Sequence, residues 1–102
     1  MSEMYGFGDP QWPGLAKVNE ECGEVGQVIG KIMMLHGATT HWDGGPLLDV
    51  RLADEMADAN AAIIFAMMHM PEMQHMLDRF RVRTDAKLRL FEKWHRDGKD
   101  KP

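Results

Sequence analysis

The chain has 102 residues, a formal net charge of −4 and a single cysteine. This length allows one domain over residues 1–102 with a modest core, which favours an oligomer, and the acidic balance lacks the basic face of a nucleic-acid-binding domain. One cysteine excludes an internal disulfide, and the lack of a bilayer-spanning apolar run or a signal peptide predicts a cytoplasmic protein with no membrane partner.

The chain begins with a predicted irregular arm over residues 1–11, because glycines and a proline interrupt it. Pro13 suits the first turn of a helix, which is predicted to run to about His36. Apolar residues recur in this helix at alternating spacings of three and four, which indicates one buried face. Cys22 belongs to this face and is predicted to be a small core residue rather than a nucleophile. The face consists of Leu15, Val18, Cys22, Val25, Ile29 and Ile32.

Three glycines interrupt the same helix at Gly23, Gly26 and Gly30. Each costs about 1 kcal/mol relative to alanine inside a helix, so their presence needs a reason. Close packing of a neighbouring helix is the favoured explanation, and access of a ligand to the backbone is the alternative.

Residues 37–46 are rich in turn formers and predict a loop that contains Trp42. A second helix is predicted from about Pro46 to His69, where Pro71 ends it. Its apolar residues show the same alternating spacing and predict a second buried face. This face consists of Leu52, Met56, Ala59, Ile63, Ala66 and Met70.

A third helix is predicted from about Glu72 to His95, followed by a polar, flexible tail over residues 97–102. No sustained period-two alternation indicates a β-strand. The helix is rich in basic residues on its outer faces, and an inner apolar face is predicted from Met73, Leu77, Phe80, Leu88, Phe91 and Trp94.

Two acidic pairs lie on the first two helices. Residues three or four apart share a helix face, so Glu21 and Glu24 project side by side, as do Glu55 and Asp58. Each pair flanks a predicted buried face on the same rotational side. Two such flanks meet along one edge when the helices run antiparallel, as a short connection enforces. The geometry therefore predicts one site formed by all four carboxylates.

Four carboxylates brought together repel one another and lose hydration unless a cation lies among them. Mg²⁺ takes oxygen ligands, so we predict a magnesium site in which Mn²⁺ can substitute. The alternative, a solvated acidic helix face, fits less well because both pairs border buried faces. Glu20 points away from this edge and is predicted to be a surface residue or a helper that orients a metal-bound water.

Further side chains are candidates for contacts with a phosphate or a base. Lys17 and Lys31 lie on the flank of Glu24 and either support the helix as surface cations or neutralise phosphate oxygens. Trp42 could stack on a base or cover the end of the core. Three more candidates, for which a plain surface role is the simpler explanation, are Asn19, Arg83 and Lys87.

The acidic motifs stand as Glu20-Glu21-Cys22-Gly23-Glu24 and, one loop later, Glu55-Met56-Ala57-Asp58. This order of Glu-Glu-x-x-Glu and Glu-x-x-Asp resembles the MazG-like family of nucleotide pyrophosphohydrolases, within the all-α NTP pyrophosphatase superfamily. The likeness does not cover the third helix. It extends from Trp12-Pro13-Gly14-Leu15 through Ala62-Ile63-Ile64-Phe65.

The resemblance implies an all-α antiparallel helical bundle completed by dimerisation, sometimes as a tetramer. It implies Mg²⁺ held at the four carboxylates Glu21, Glu24, Glu55 and Asp58. The implied reaction is hydrolysis of a (deoxy)nucleoside triphosphate to the monophosphate and pyrophosphate, for clearing nucleotide pools, with Glu20 or a ligand acid as the base. Two alternatives stay open: a sibling enzyme restricted to dUTP, dCTP or phosphoribosyl-ATP, and a non-catalytic helical oligomerisation module.

Overall fold

The computed structural model describes residues 4–36 and 47–98. It contains three α-helices and, within those residues, no β-strand, which confirms the all-α prediction. The helices are α1 (Leu15–Met34), α2 (Leu48–His69) and α3 (Met73–Asp97), and each end lies within two residues of its predicted position.

Besides residues 1–3 of the predicted arm, two predicted segments fall wholly or partly outside the described residues. The predicted loop over 37–46, with Trp42, is one of them. The other is the predicted tail, of which residues 99–102 lie outside, whereas Asp97 is the last residue of α3. Among the described helices, none combines the length and apolar character that crossing a membrane requires.

The chain divides into two compact units, Met1–Pro71 and Glu72–Pro102. The first unit contains α1, α2 and the arm that precedes α1, and the second contains α3. The prediction of a single domain over residues 1–102 stays a prediction.

Helices α1 and α2 pack against each other in antiparallel orientation. At the start of α1, a Cβ built on Gly14 would lie 3.1 Å from Cδ1 of Phe65, near the end of α2. In the middle of both helices, one carboxylate oxygen of Glu24 lies within 4.8 Å of one of Glu55. The beginning of one helix therefore lies beside the end of the other, as the sequence predicted.

The buried core of the first unit is small and is made mainly by α2. Three of its residues are the alanines Ala59, Ala62 and Ala66, whose spacing places them on one face of α2. The buried apolar residues are Val28, Leu48, Ala59, Ala62, Ala66, Met67 and Met70.

The side of α1 that faces α2 is not the predicted one, because the helix is rotated about its own axis relative to the prediction. Val28, the buried residue of α1, lies four residues after Glu24 and seven after Glu21, so these three share a helix face. The carboxylates therefore lie on the contact face and not on its flank. Cys22 and Ile29, predicted to be core residues, are exposed instead.

Rotation leaves an open groove where the predicted apolar faces were expected to meet. Met56 of α2 is 49% exposed at this groove. The predicted core role of Cys22 is wrong for the same reason, since the described residues leave this side of the helix pair uncovered. The groove is lined by Cys22, Val25, Met56, Ala59, Asn60 and Ile63.

The glycines of α1 do not serve close packing in the described part of the chain. A Cβ added at Gly23, Gly26 or Gly30 would meet no heavy atom within 4 Å. The favoured explanation from sequence is therefore wrong for the described residues.

The predicted inner face of α3 is not buried within the described residues. No side chain of α3 is buried, and Phe80, Leu88 and Phe91 are all exposed. The helix is supported along its surface by ion pairs one turn apart, such as Arg89 with Asp85 at 3.0 Å. Such exposed pairs contribute little individually, so α3 relies largely on its own helical propensity.

The described part of the arm, from residue 4 onward, is irregular, as predicted, and it is organised by one carboxylate. Asp9 accepts hydrogen bonds from the backbone N–H groups of Tyr5 at 2.6 Å, Gln11 at 2.9 Å and Trp12 at 3.0 Å. These bonds favour the ionised carboxylate and lower the pKa of Asp9 below its ordinary value, with the Trp12 bond as the largest cause.

The folded arm caps the start of α1. The carbonyl oxygen of Gly6 accepts from the Gly14 N–H at 2.8 Å, and that of Tyr5 accepts from the Ala16 N–H at 3.0 Å. Helix starts leave such N–H groups without internal partners, and Gly14 provides no side-chain cap. The arm therefore substitutes for a capping side chain and is fixed against α1.

Candidate functional site

Three carboxylates from the two packed helices converge on one point. One oxygen from each of Glu21, Glu24 and Glu55 lies within 4.8 Å of the others, and all three residues are half-buried. Helical spacing places the first two one turn apart on α1, and the antiparallel packing brings the third from α2. The predicted convergence of both acidic motifs is therefore present for these three residues.

Two oxygens of this cluster have no partner. Glu21 Oε2 and Glu55 Oε2 are shielded from solvent and accept no hydrogen bond from the described residues. A buried polar atom without a partner destabilises a fold, and an ionised one does so more strongly. A cation at this point would provide the missing interaction for both oxygens.

Burial and neighbouring charges raise the pKa values of two carboxyl groups in the cluster. Burial raises the pKa of Glu21, and the charges of Glu24 and Asp58 raise it further. Burial is likewise the largest cause that raises the pKa of Glu55, followed by the hydrogen bond with Glu24 and the neighbouring negative charges. Both shifts mean that the ionised forms lack stabilisation, which a divalent cation would supply.

Asp58 stands at the edge of the cluster. It is exposed and does not belong to the group of three, yet its charge raises the pKa of both Glu21 and Glu55. It lines the same cavity as Glu21 and Lys17. Its role as the fourth ligand stays a prediction.

Lys17 joins the cluster to the solvent-exposed side of α1. Its Nζ lies 3.3 Å from Glu20 Oε1 and 3.9 Å from Glu21 Oε1. The side chain of Glu20 is 56% exposed and that of Glu21 is 14% exposed, so Glu20 faces solvent as predicted. Lys17 thus forms the predicted support within the helix, and it also lies beside the site.

The other predicted substrate residues are more distant or lie elsewhere. Lys31 is in the last turn of α1, about 10 Å along the axis from Glu24 at the usual rise per residue. Asn19 is an exposed residue of α1, and Arg83 and Lys87 are exposed on α3, in the other compact unit. Trp42 lies outside the described residues, so all these assignments stay predictions.

Two aromatic residues at the site were not identified from sequence. Phe7 and Phe65 line the cavity that also contains Glu21, with ring centroids 5.1 Å apart and planes at 88°. The available signal was Gly6-Phe7-Gly8, a large apolar residue between two glycines in an arm. Periodicity could not reveal its target, because an irregular arm has no repeating face.

No protein family, no curated protein and no solved structure matches this chain.

Proposed function

We propose that this protein is a Mg²⁺-dependent nucleoside triphosphate pyrophosphohydrolase of the MazG-like type. It would hydrolyse a (deoxy)nucleoside triphosphate to the monophosphate and pyrophosphate, with Mn²⁺ as a substitute for Mg²⁺. The observation that supports this proposal best is the convergence of Glu21, Glu24 and Glu55 within 4.8 Å from two antiparallel helices.

The residues of the cluster suit a hard divalent cation. All donors are carboxylate oxygens, which Mg²⁺ prefers over nitrogen or sulfur. Two of the oxygens, on Glu21 and Glu55, are buried and have no hydrogen-bond partner in the part of the chain that the structure describes. In this proposal Glu21, Glu24 and Glu55 hold the cation, with Asp58 as a fourth ligand at the edge.

The proposed reaction depends on positive charge beside the phosphates. The bound Mg²⁺ supplies positive charge near the phosphates and lowers the pKa of water. Lys17, at the edge of the cluster, pairs with phosphate oxygens. A water oxygen attacks the α-phosphorus, the bond from this phosphorus to the bridging oxygen breaks, and pyrophosphate leaves with the electron pair.

The proton of the attacking water needs an acceptor. Glu20 is one candidate, because it is exposed and is held 3.3 Å from Lys17. A phosphate that pairs with Lys17 would release the Glu20 carboxylate and make it available as a base. A ligand acid is the other candidate.

We further propose that the working unit is a homodimer or homotetramer. The groove beside Cys22 and Met56 leaves apolar side chains exposed that periodicity predicts as core. Phe80, Leu88 and Phe91 of α3 are exposed as well. A second copy would cover apolar surface of this kind, and light scattering coupled to size-exclusion chromatography measures the stoichiometry.

A substrate panel tests the proposed activity. Ribo- and deoxyribonucleoside triphosphates are offered with Mg²⁺, with Mn²⁺ and with a chelator, and released pyrophosphate is measured. We expect turnover with either metal and none with the chelator. A response to dUTP, dCTP or phosphoribosyl-ATP alone would indicate a sibling enzyme with a narrow substrate.

A pair of variants on α2 tests the site itself. Glu55→Gln removes one charge from the cluster with little change in shape, and we expect it to abolish metal-dependent turnover while circular dichroism stays unchanged. Asp54→Asn is the matched control, because Asp54 is the exposed acid next in sequence. Equal turnover in both variants would show that the reaction does not depend on Glu55, whereas a wild-type protein without metal-dependent turnover would favour the non-catalytic oligomerisation module.

A further inference from the structure

The cavity beside the carboxylates changes character along its length. Its volume is about 400 Å³, within the range of roughly 300–1,000 Å³ that ligand pockets occupy. Glu21 and Asp58 lie at one end, and Phe65 lies two turns further along α2, about 10 Å away along the axis. The full lining is Phe7, Lys17, Glu21, Asp58, Ala61, Ala62 and Phe65.

Two aromatic rings, Phe7 and Phe65, line the apolar end of this cavity and contact each other. Phe65 contacts Phe7 on one side and stacks against His69, with ring centroids 4.4 Å apart and planes at 31°. Gly14 packs beside both phenylalanine rings, because a Cβ at this position would lie 3.1 Å from Phe65 and 3.7 Å from Phe7. A larger residue at this position would displace the rings.

Phe7 gains little from burial in this position. It is 57% exposed, so most of its apolar surface still meets water and its contribution to the core is small. Nevertheless, the turn that carries it is fixed by three backbone hydrogen bonds to Asp9. The arm thus presents an aromatic ring to the cavity at a defined place.

We propose that this cavity binds the base of a nucleoside triphosphate, stacked on the exposed Phe7 ring with Phe65 beside it, while the phosphates reach Lys17 and the carboxylate end. This inference rests on the proposed function and adds the base-binding residues to it. Aromatic rings bind nucleobases through their faces whatever the base. The alanines between the two ends leave room for the sugar, and Lys17 provides positive charge on the phosphate side.

Binding measurements separate the base from the phosphates. Isothermal titration calorimetry compares the α,β-methylene analogue of ATP, which resists cleavage at the bond in question, with inorganic triphosphate, which has no base. Both are titrated in the presence of Mg²⁺. We expect Phe7→Ala to weaken binding of the analogue about tenfold or more and to leave the affinity for inorganic triphosphate unchanged.

Three further variants keep the test decisive. Phe7→Leu retains apolar volume without an aromatic face and should lose affinity for the analogue, so it decides the matter if the alanine variant fails to fold. Phe7→Tyr should bind the analogue as the wild-type protein does. Met4→Ala is the control on the same arm, because Met4 is 75% exposed and does not line the cavity.

Each outcome has a definite meaning. Selective loss of the analogue in Phe7→Ala and Phe7→Leu supports the base pocket. Unchanged binding of the analogue, or equal loss of both ligands, overturns the pocket and leaves the proposed function intact. Failure of the wild-type protein to bind either ligand with Mg²⁺ overturns the proposed function and the pocket together.

Discussion

Gly14→Ala should destabilise the first unit of the protein for two reasons, the backbone conformation at this position and the packing around it. Gly14 has φ +76°, a left-handed conformation that costs a residue with a Cβ about 1–2 kcal/mol. The new methyl would also lie 3.1 Å and 3.3 Å from two carbons of the Phe65 ring. Because this ring is half-buried and can shift, we expect the overlap to add no more than the backbone cost.

The total loss is about 2 kcal/mol, which lowers the Tm of a unit of this size on the order of 10 °C. Thermal unfolding followed by circular dichroism measures this change. Hydrogen exchange of the amides in α1 and α2 then shows whether the loss lies in the helix pair. The displaced Phe65 ring should also weaken nucleotide binding without affecting inorganic triphosphate.

Gly26→Ala is the matched control on the same helix. Gly26 lies inside α1 and a Cβ there meets nothing within 4 Å, so alanine should stabilise the helix by up to about 1 kcal/mol. The same chemical change is thus expected to have opposite signs at two positions twelve residues apart. A Gly14→Ala variant as stable as the wild type, or a destabilised Gly26→Ala, would refute this reasoning.

Three other predictions follow from the carboxylates. Without metal, Glu55→Gln should raise the Tm, because it removes a charge that burial and its neighbours disfavour. We expect Mg²⁺ to raise the Tm of the wild-type protein in a thermal shift assay and to leave the Tm of this variant unchanged. Burial and neighbouring charges raise the pKa values of Glu21 and Glu55 in the folded protein above their ordinary value of 4.5. Their protonated carboxyl groups therefore stabilise the metal-free fold below pH 4.5, and this stability is lost as the pH rises through the pKa values of the folded protein. Metal-free samples should therefore show a Tm that rises on acidification from neutral pH, and a flat profile would contradict this. Asp9→Ala should free the arm and weaken nucleotide binding but not triphosphate binding. Because the pKa of Asp9 in the folded protein lies below 3.8, the stability that its carboxylate gives the arm is present above that pH and is lost as the pH falls through the folded pKa. Hydrogen exchange at Tyr5 and Trp12 would detect this loss.

Helix positions and the meeting of the acidic motifs could be predicted from sequence, because both depend on spacing alone. A helix repeats every three to four residues, so apolar periodicity and the positions of Gly and Pro locate its ends. The same spacing places Glu21 beside Glu24. Antiparallel pairing through a short connection then brings Glu55 opposite them, as the structure shows.

Burial was harder to predict, because it depends on what lies opposite each residue. Periodicity places the centre of the face near Cys22 and Ile29, but the structure turns α1 so that Val28 is buried. The buried residues Ala59 and Ala62 share a face of α2 with Glu55, which they follow by four and seven positions. Ile29 and Met56, which periodicity places in the core, are exposed instead.

The aromatic end of the cavity could not be predicted from spacing at all. Phe7 is placed by a turn whose hydrogen bonds all converge on Asp9. Phe65 is placed by its neighbour across the helix pair, Gly14. Gly14 and Phe65 lie more than fifty residues apart in the sequence, so no local pattern encodes their contact. The Asp9 turn is local, but it does not reveal where the Phe7 ring packs.

The rotation of the two helices links folding to the proposed chemistry. The observed arrangement leaves Cys22, Ile29 and Met56 exposed and turns Glu21 and Glu55 inward, where two of their oxygens have no hydrogen-bond partner among the described residues. Both features cost stability. A cation would offset this loss directly, because it interacts with the very atoms that burial destabilises. The described residues leave the apolar groove exposed, and this groove is the surface proposed to contact a second copy. One rotation thus accounts for both the carboxylate cluster and the proposed oligomer surface.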